Sequence, residues 1–163
     1  MLIKIKKNRT LIYKKCQFKC ALGKKGVKKN KKEGDKATPK GTFCLGKIYY
    51  RSDRIKRITA KLKTKIIKKN MGWCNDPNNK NYNREIKLNS RNKGEKLFRN
   101  DRKYDALIVI NYNVSPAIPN KGSAIFLHIT RNYKSTAGCI AINLKNFLTL
   151  VKLINKNTKI KIY

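Results

Sequence analysis

The sequence predicts a mainly β fold, in which mixed sheets form a β-sandwich-like structure with one C-terminal α-helix. Short runs of β-branched and aromatic residues recur along the chain, and polar stretches with glycine or proline separate them, which is typical of strands joined by loops. Only the segment after Asn143 has apolar residues at helical spacing. With 163 residues, the chain is predicted to form a single domain, residues 1–163.

The predicted strands share alternating or continuous apolar residues of high β propensity. In chain order they span residues 2–6, 10–22, 41–50, 58–67, 104–112, 123–130, 139–142 and 158–163. Residues 123–130 and 139–142 are the most apolar pair that a short polar segment separates. They are therefore predicted to be buried neighbours.

Two long segments between the strands are predicted to be loops. Residues 23–40 are polar and end in Thr38-Pro39, where Pro39 favours an extended turn. Residues 70–90 are rich in Asn, Asp and Pro. A loop of that length is usually functional or mobile, so we expect it to form a lid or wall.

The predicted helix begins after Asn143, a residue type that caps helix N-termini well. Its apolar residues recur at helical spacing and are predicted to face the core. They are Leu144, Phe147, Leu148, Val151 and Ile154.

The chemistry of the chain is concentrated in one segment. His128, the only histidine, precedes Cys139 by eleven residues. If the two strands pair as an antiparallel hairpin, the two Cβ atoms lie about 4.5–5.5 Å apart. The imidazole would then lower the thiol pKa and hold a thiolate–imidazolium pair, and the turn at Gly138 would aim backbone amides at an oxyanion.

A structural interpretation of the same pair is also open. A free cysteine is usually a small buried hydrophobic residue, and a lone histidine is usually a hydrogen-bonded core or surface group. The pair alone therefore does not decide between catalysis and packing.

Four segments in the same order resemble the catalytic domains of L,D-transpeptidases of the YkuD type. They are EGDKATPKGTF (33–43), GWCNDPNNKNYNREI (72–86), LFRNDRKYDALIVINYN (97–113), and SAIFLHI with STAGCIAI (123–129 and 135–142). The resemblance covers nearly the whole chain. Three positions depart from the family's better-known pattern: Ala137 replaces a second histidine, Ile129 a glycine, and Ala141 an arginine that contacts substrate.

The resemblance implies acyl transfer on peptidoglycan stem peptides through a thioester on Cys139, giving 3-3 cross-links, with no metal or cofactor. Cys139, His128 and Gly138 are its candidate catalytic residues, and the Ile129 carbonyl is expected to orient the imidazole. Candidate substrate-binding residues, with the arginines suited to carboxylates, are Arg84, Arg99, Arg131, Tyr112 and Asn113. L,D-carboxypeptidase activity and a non-catalytic basic module that binds wall or nucleic acid remain alternatives.

The net charge of +34 makes nucleic-acid binding an obvious rival function, since such a field attracts polyanions. The lysines are spread along the chain, however, and are not gathered into one arm or helix face. We therefore expect a solvated basic surface and no specific nucleic acid partner.

The remaining cysteines and the N-terminus give weaker indications. Five cysteines are an odd number, so at least one is unpaired within the monomer, and the spacing of Cys16 and Cys20 is poor evidence for zinc. Cys74, which follows Gly72-Trp73 in the resembling segment, is expected to be buried, with a second thiol near the cleft as the alternative, and Cys44 has no evident chemical role. No transmembrane segment or signal peptide is visible, although the family implies the periplasm or cell wall, so a cytoplasmic location also stays open.

Overall fold

Fourteen strands and one helix form the fold, and the computed structural model describes residues 1–163. The strands are β1 (Leu2–Lys6), β2 (Thr10–Tyr13), β3 (Cys16–Lys19), β4 (Val27–Lys28), β5 (Thr38–Pro39), β6 (Gly41–Tyr50), β7 (Thr64–Ile66), β8 (Met71–Trp73), β9 (Glu85–Lys87), β10 (Glu95–Lys96), β11 (Ala106–Ile110), β12 (Phe126–Ile129), β13 (Ile140–Ile142) and β14 (Lys159–Ile162). Helix α1 spans Leu144–Leu153. Strands account for 35% of the chain and helix for 6%, which confirms the predicted fold class.

Nine strands form the main sheet, in the order β13-β12-β11-β6-β14-β1-β2-β3, with β7 pairing β6. The sheet is mixed, because β12 pairs β13 and β1 pairs β14 in parallel while most other pairs are antiparallel. Ala21, just beyond β3, forms an isolated bridge with Ala141 in β13. The sheet therefore curls until its two ends meet beside β13.

The core lies on both faces of the central strands, because successive side chains of a strand point to opposite faces. A cluster of 26 buried residues on one face includes Leu127, Ile129 and the α1 residues Phe147 and Leu150. A cluster of 11 on the other face includes Phe126 and Cys139. The predicted active-site residues thus lie on the face that α1 does not cover.

The helix begins as predicted, since the side chain of Asn143 accepts a hydrogen bond from the Asn146 amide at 2.8 Å. Phe147, Val151 and Ile154 are buried. The prediction that Leu144 faces the core is wrong, since this residue of the first helical turn is 40% exposed. No helix combines the length and apolar character needed to cross a bilayer.

Four predicted segments differ from the observed elements. The strand predicted at 10–22 is a hairpin of β2 and β3, which pair antiparallel, and the loop predicted at 23–40 contains the short parallel pair of β4 and β5. Residues 70–90 are not a continuous loop: β8 pairs with both β9 and β10 in a three-stranded sheet, and the run Met71–Trp73 is too short for alternation to reveal it. Of the strand predicted at 58–67, only Thr64–Ile66 pairs, while Ile58 and Leu62 are buried without joining a strand.

Candidate active site

His128 lies in β12 and Cys139 directly precedes the neighbouring strand β13, but the predicted antiparallel hairpin is wrong. Strands β12 and β13 are parallel, with His128 paired to Ala141, although so short a connection usually joins antiparallel strands. Cys139 precedes Ala141 by two residues and therefore shares its face. The Cys139 backbone therefore lies two residues, or about 6–7 Å, along the strand from the level of His128, and its sulfur contacts the Phe126 amide.

The sulfur of Cys139 is held by the backbone of the strand beside it. It accepts a hydrogen bond from the Phe126 amide at 3.4 Å and donates one to the Ala124 carbonyl at 3.2 Å. Burial, followed by the charge of Glu95, raises the pKa of the Cys139 thiol to about 12. The resting group is therefore a thiol, which differs from the thiolate expected from the sequence.

The imidazole of His128 is oriented as a neutral base. Its Nδ1 lies 2.9 Å from the carbonyl oxygen of Ile129, the partner that the resemblance implied. Since a carbonyl only accepts hydrogen bonds, Nδ1 carries the proton and Nε2 keeps its lone pair. Burial, together with the nearby cations Lys103 and Arg99, lowers the pKa of His128 to about 4, so the ring is uncharged at neutral pH.

The turn before the nucleophile is locked by Thr136. Its hydroxyl donates to the Cys139 carbonyl at 2.6 Å and accepts from the Gly138 amide at 3.1 Å. Gly138 has φ +143°, and a Cβ there would lie 2.8 Å from the carbonyl oxygen of Ala37. The Gly138 amide is therefore already used, and of the two amides expected to face an oxyanion only that of Cys139 has no partner in the protein. It is free to stabilise developing negative charge.

Asn83 fixes the backbone of Ala124, which precedes β12 and contacts the Cys139 sulfur. The sequence analysis did not identify Asn83. Its side-chain oxygen accepts from Trp73 Nε1 at 2.9 Å and from the Ala124 amide at 3.0 Å. Ala124 has φ +51°, a strained conformation for a residue with a Cβ, and its carbonyl is the one that meets the thiol. The only signal was that Asn83 lies inside the resembling segment 72–86.

One cleft of about 670 Å³ contains both reactive groups. His128, Gly138 and Cys139 form part of its lining. Its charged lining consists of Lys31, Lys36, Arg99, Lys103 and Lys134, with Glu33 and Glu95 as the only acids. The site thus combines a thiol, a neutral base and a mainly basic cleft large enough for part of a peptide.

The sequence profile of the L,D-transpeptidase catalytic domain, YkuD, matches residues 1–162. The chain belongs to this family. Members of this family act on peptidoglycan peptides. No significant match was found among curated proteins.

Among solved structures, the helical cell shape determining protein Pgp2 from Campylobacter jejuni is similar, both as the wild type and as a single-substitution variant. Each is 17% identical, with a TM-score of 0.49, and the match covers 99% of this chain but 46% of that chain. This YkuD domain therefore spans about half the length of those proteins.

Of the predicted substrate-binding residues, the structure brings only Arg99 to the cleft. Arg84 lines a separate cavity of about 320 Å³ beside Trp73 and Glu85. Arg131 is exposed outside the cleft lining.

Tyr112 and Asn113 do not line the cleft and stabilise a neighbouring loop. Tyr112 packs edge-on against Phe43, with ring centroids 5.5 Å apart, and Asn113 donates to the carbonyls of Ile118 and Gly122. Substrate contacts by these residues and by the three arginines stay predictions.

All five cysteines are free, consistent with the odd count. Cys20 is fully buried in the larger apolar cluster, and burial raises its pKa to about 12. Cys74 is also buried, whereas Cys44 is exposed and Cys16 half-buried. Among the five, only Cys139 lines the cleft.

Proposed function

We propose that the protein is a cysteine acyltransferase that performs L,D-transpeptidation on peptidoglycan stem peptides. The observation that carries this proposal is the placement of one thiol and one neutral, oriented imidazole on the same face of adjacent strands, in one cleft. Family membership supplies the substrate class and supports action at the cell wall or in the periplasm.

In the first half-reaction, His128 Nε2 takes the proton of the Cys139 thiol as sulfur attacks the carbonyl between the third stem residue and the terminal D-alanine. The Cys139 amide stabilises the oxyanion. The carbon–nitrogen bond then breaks, the imidazolium protonates the departing amine, and a thioester remains. A neutral thiol and a neutral imidazole in one cleft suit this concerted transfer, since neither group needs to be ionised in advance.

In the second half-reaction, an amine of another stem attacks the thioester and gives its proton to His128. The carbon–sulfur bond breaks, the thiol is restored and a 3-3 cross-link forms. Attack by water in place of the amine releases a free carboxylate, which is the L,D-carboxypeptidase outcome. Both outcomes share the same acyl-enzyme.

Intact-mass measurement after exposure to a carbapenem, an acylating inhibitor, tests the acyl-enzyme. We expect one adduct on the wild type and none on Cys139→Ser. His128→Ala should acylate about 10²- to 10⁴-fold more slowly, the usual contribution of a positioned general base. Stem tetrapeptides with and without an amine acceptor then separate cross-linking from trimming.

The absence of any adduct on the folded wild-type protein would contradict the proposal. A basic binding module predicts instead that polyanion binding falls steeply with salt and is unchanged in Cys139→Ser.

A further inference from the structure

The acidic residues are confined to the middle of the sequence. All eight lie from Glu33 to Asp105, so residues 1–32 and 106–163 contain none. Strands β14, β1, β2 and β3, which are neighbours in the main sheet, come entirely from these two acid-free segments. None of the six ion pairs of the protein involves a basic residue of these four strands.

The four strands have one apolar face and one basic face. Residues such as Ile3, Ile5 and Ile160 are buried in the cluster that includes α1. Since successive side chains of a strand point to opposite faces, the intervening residues lie on the other face of the sheet. We call this other face the lysine face. It carries four exposed lysines and one that is half-buried: Lys4, Lys6, Lys19 and Lys159, and the half-buried Lys161.

The five lysines are close neighbours in the sheet. Lys4 is directly opposite Lys161 on the adjacent strand, and Lys6 and Lys19 flank Thr10 in the next row. From the spacing of strands and of residues along them, the five positions span a patch of roughly 14 Å on each side. Like charges directly opposite destabilise a sheet. Negative charge from outside the protein would relieve this repulsion.

The same face of the main sheet is covered further along. At the central strands, Tyr49, Val109 and Phe126 on this face are buried against Met71 and Trp73 of β8. The lysine face has no such cover, because four of its five lysines are exposed. It also contributes no residue to either cavity described above. It is therefore an open surface and not a pocket.

We propose that the lysine face docks on the surface of an anionic lipid bilayer. Basic side chains near an anionic leaflet each add to membrane binding, and here five of them spread over a two-dimensional patch. Leu2 lies opposite Lys159 and Ile12 opposite Lys4, so half-buried apolar side chains stand between the ammonium groups. Apolar side chains among basic ones suit the headgroup region of a bilayer.

A bilayer fits this face better than a nucleic acid does. Duplex DNA is read by an element that enters a groove, and single strands bind to exposed aromatic rings within a basic groove. The outward positions of the four strands carry no aromatic residue. The rings of Tyr163 and Tyr133 lie under the ammonium groups of Lys161 and Lys19, 4.7 and 5.0 Å away, and are not free to stack on bases.

The test measures co-sedimentation of the protein with lipid vesicles at physiological ionic strength. We expect the wild type to bind vesicles of equal parts phosphatidylglycerol and phosphatidylcholine, and not vesicles of phosphatidylcholine alone. A face variant removes the five charges and should bind about 30-fold or more weakly, since each lysine near the surface contributes about fivefold. Its substitutions are Lys4→Gln, Lys6→Gln, Lys19→Gln, Lys159→Gln and Lys161→Gln.

The matched control has the same net charge as the face variant but keeps the lysine face. It should bind within about threefold of the wild type, because salt screens charges more than about 8 Å from the membrane. Five exposed lysines outside the four strands are replaced: Lys56→Gln, Lys61→Gln, Lys80→Gln, Lys145→Gln and Lys152→Gln. Equal weakening in the two variants would show that net charge alone attracts the protein, and would overturn the docking surface.

Two further outcomes would also overturn the proposal. One is equal binding, or no binding, to the two kinds of vesicle. The other is tighter binding to soluble polyphosphate or duplex DNA at equal phosphate concentration, with the same dependence on the five lysines, which would assign the face to a polymer.

Thermal unfolding checks that the face variant is folded, and we expect it to be at least as stable as the wild type, because the repulsion between Lys4 and Lys161 is removed. If it does not fold, the double variant Lys4→Gln/Lys161→Gln decides, with an expected loss of about tenfold or more in binding. Docking does not depend on the proposed acyl transfer. Carbapenem adducts report the acyl transfer alone, and vesicle binding reports the docking alone.

Discussion

The two faces of strands β12 and β13 differ in composition and in access. The face toward α1 presents Leu127, Ile129, Ile140 and Ile142 to an apolar cluster of 26 buried residues. The opposite face presents Phe126 and Cys139 to a cluster of 11, and its edge opens into the cleft. One face is closed and apolar, and the other combines aromatic packing with reactive groups.

This difference shows how one pair of short strands serves two purposes. Alternation sends successive residues to opposite faces, so Leu127 and Ile129 anchor the strand on both sides of His128. The rigid apolar face then fixes the position of groups on the reactive face. Packing on the helix side should therefore determine stability, while the cleft side determines both stability and rate.

Two phenylalanines that are fully buried on opposite faces test this division. Phe147→Ala, in α1, and Phe126→Ala, on the cleft face of β12, should each lower the free energy of unfolding by about 3–5 kcal/mol. Only Phe126→Ala should also slow carbapenem acylation of the folded protein. Its ring packs edge-on against Trp73 at 5.2 Å and Tyr104 at 5.7 Å, and these contacts fix the strand whose amide meets the Cys139 sulfur.

Denaturant unfolding and acylation kinetics, measured at a temperature where both variants are folded, provide the two quantities. Equal slowing in both variants would show that the faces are not separable. Normal acylation by Phe126→Ala would show that the aromatic cluster does not position the nucleophile.

The pH dependence of stability should also separate the faces. The larger cluster contains no group that titrates between pH 4 and 7, whereas the pKa of His128 falls from the ordinary 6.5 to about 4 in the fold. The unfolded chain therefore binds a proton that the folded chain does not, and stability is lost as pH falls from about 6.5 toward 4. The expected loss is about 3 kcal/mol.

The comparison of wild type with His128→Asn isolates this contribution from that of the carboxylates. An asparagine amide keeps a donor for the Ile129 carbonyl but does not titrate. The difference in unfolding free energy between the two proteins should shrink on acidification from pH 7 to pH 4. A constant difference would mean that the folded protein accommodates a charged imidazole.

Strand positions were predictable where burial imposed a long apolar or alternating pattern. The observed β1 and β6 have the predicted bounds, and the Asn143 cap sets the start of α1 as predicted. The β8–β9–β10 sheet was not predictable, since strands of two or three residues are too short to show periodicity. Parallel pairing of β12 and β13 depends on contacts distant in sequence, including the bridge from Ala21 to Ala141.

The residues of the candidate site also divide into those that the sequence predicts and those that it does not. His128, Gly138 and Cys139 stand out because their residue types carry the chemistry, and the structure brings them to one cleft. Asn83 and Glu95 reach that region from segments about 45 to 55 residues away in sequence, and no local pattern marks them. The state of the thiol was also not predictable, because its raised pKa follows from burial.

The turn at Gly138 tests whether a backbone contact next to Cys139 controls the rate of acylation. Gly138→Ala places a methyl group 2.8 Å from the Ala37 carbonyl oxygen at φ +143°. This should cost about 1–3 kcal/mol of stability and slow acylation, because relief of the clash moves the adjacent Cys139 amide and sulfur. Gly26→Ala is the matched control: Gly26 also has positive φ, +71°, but nothing lies within 4 Å of an added Cβ. If the two variants acylate at the same rate, the close approach of the Ala37 and Gly138 backbones does not position the nucleophile.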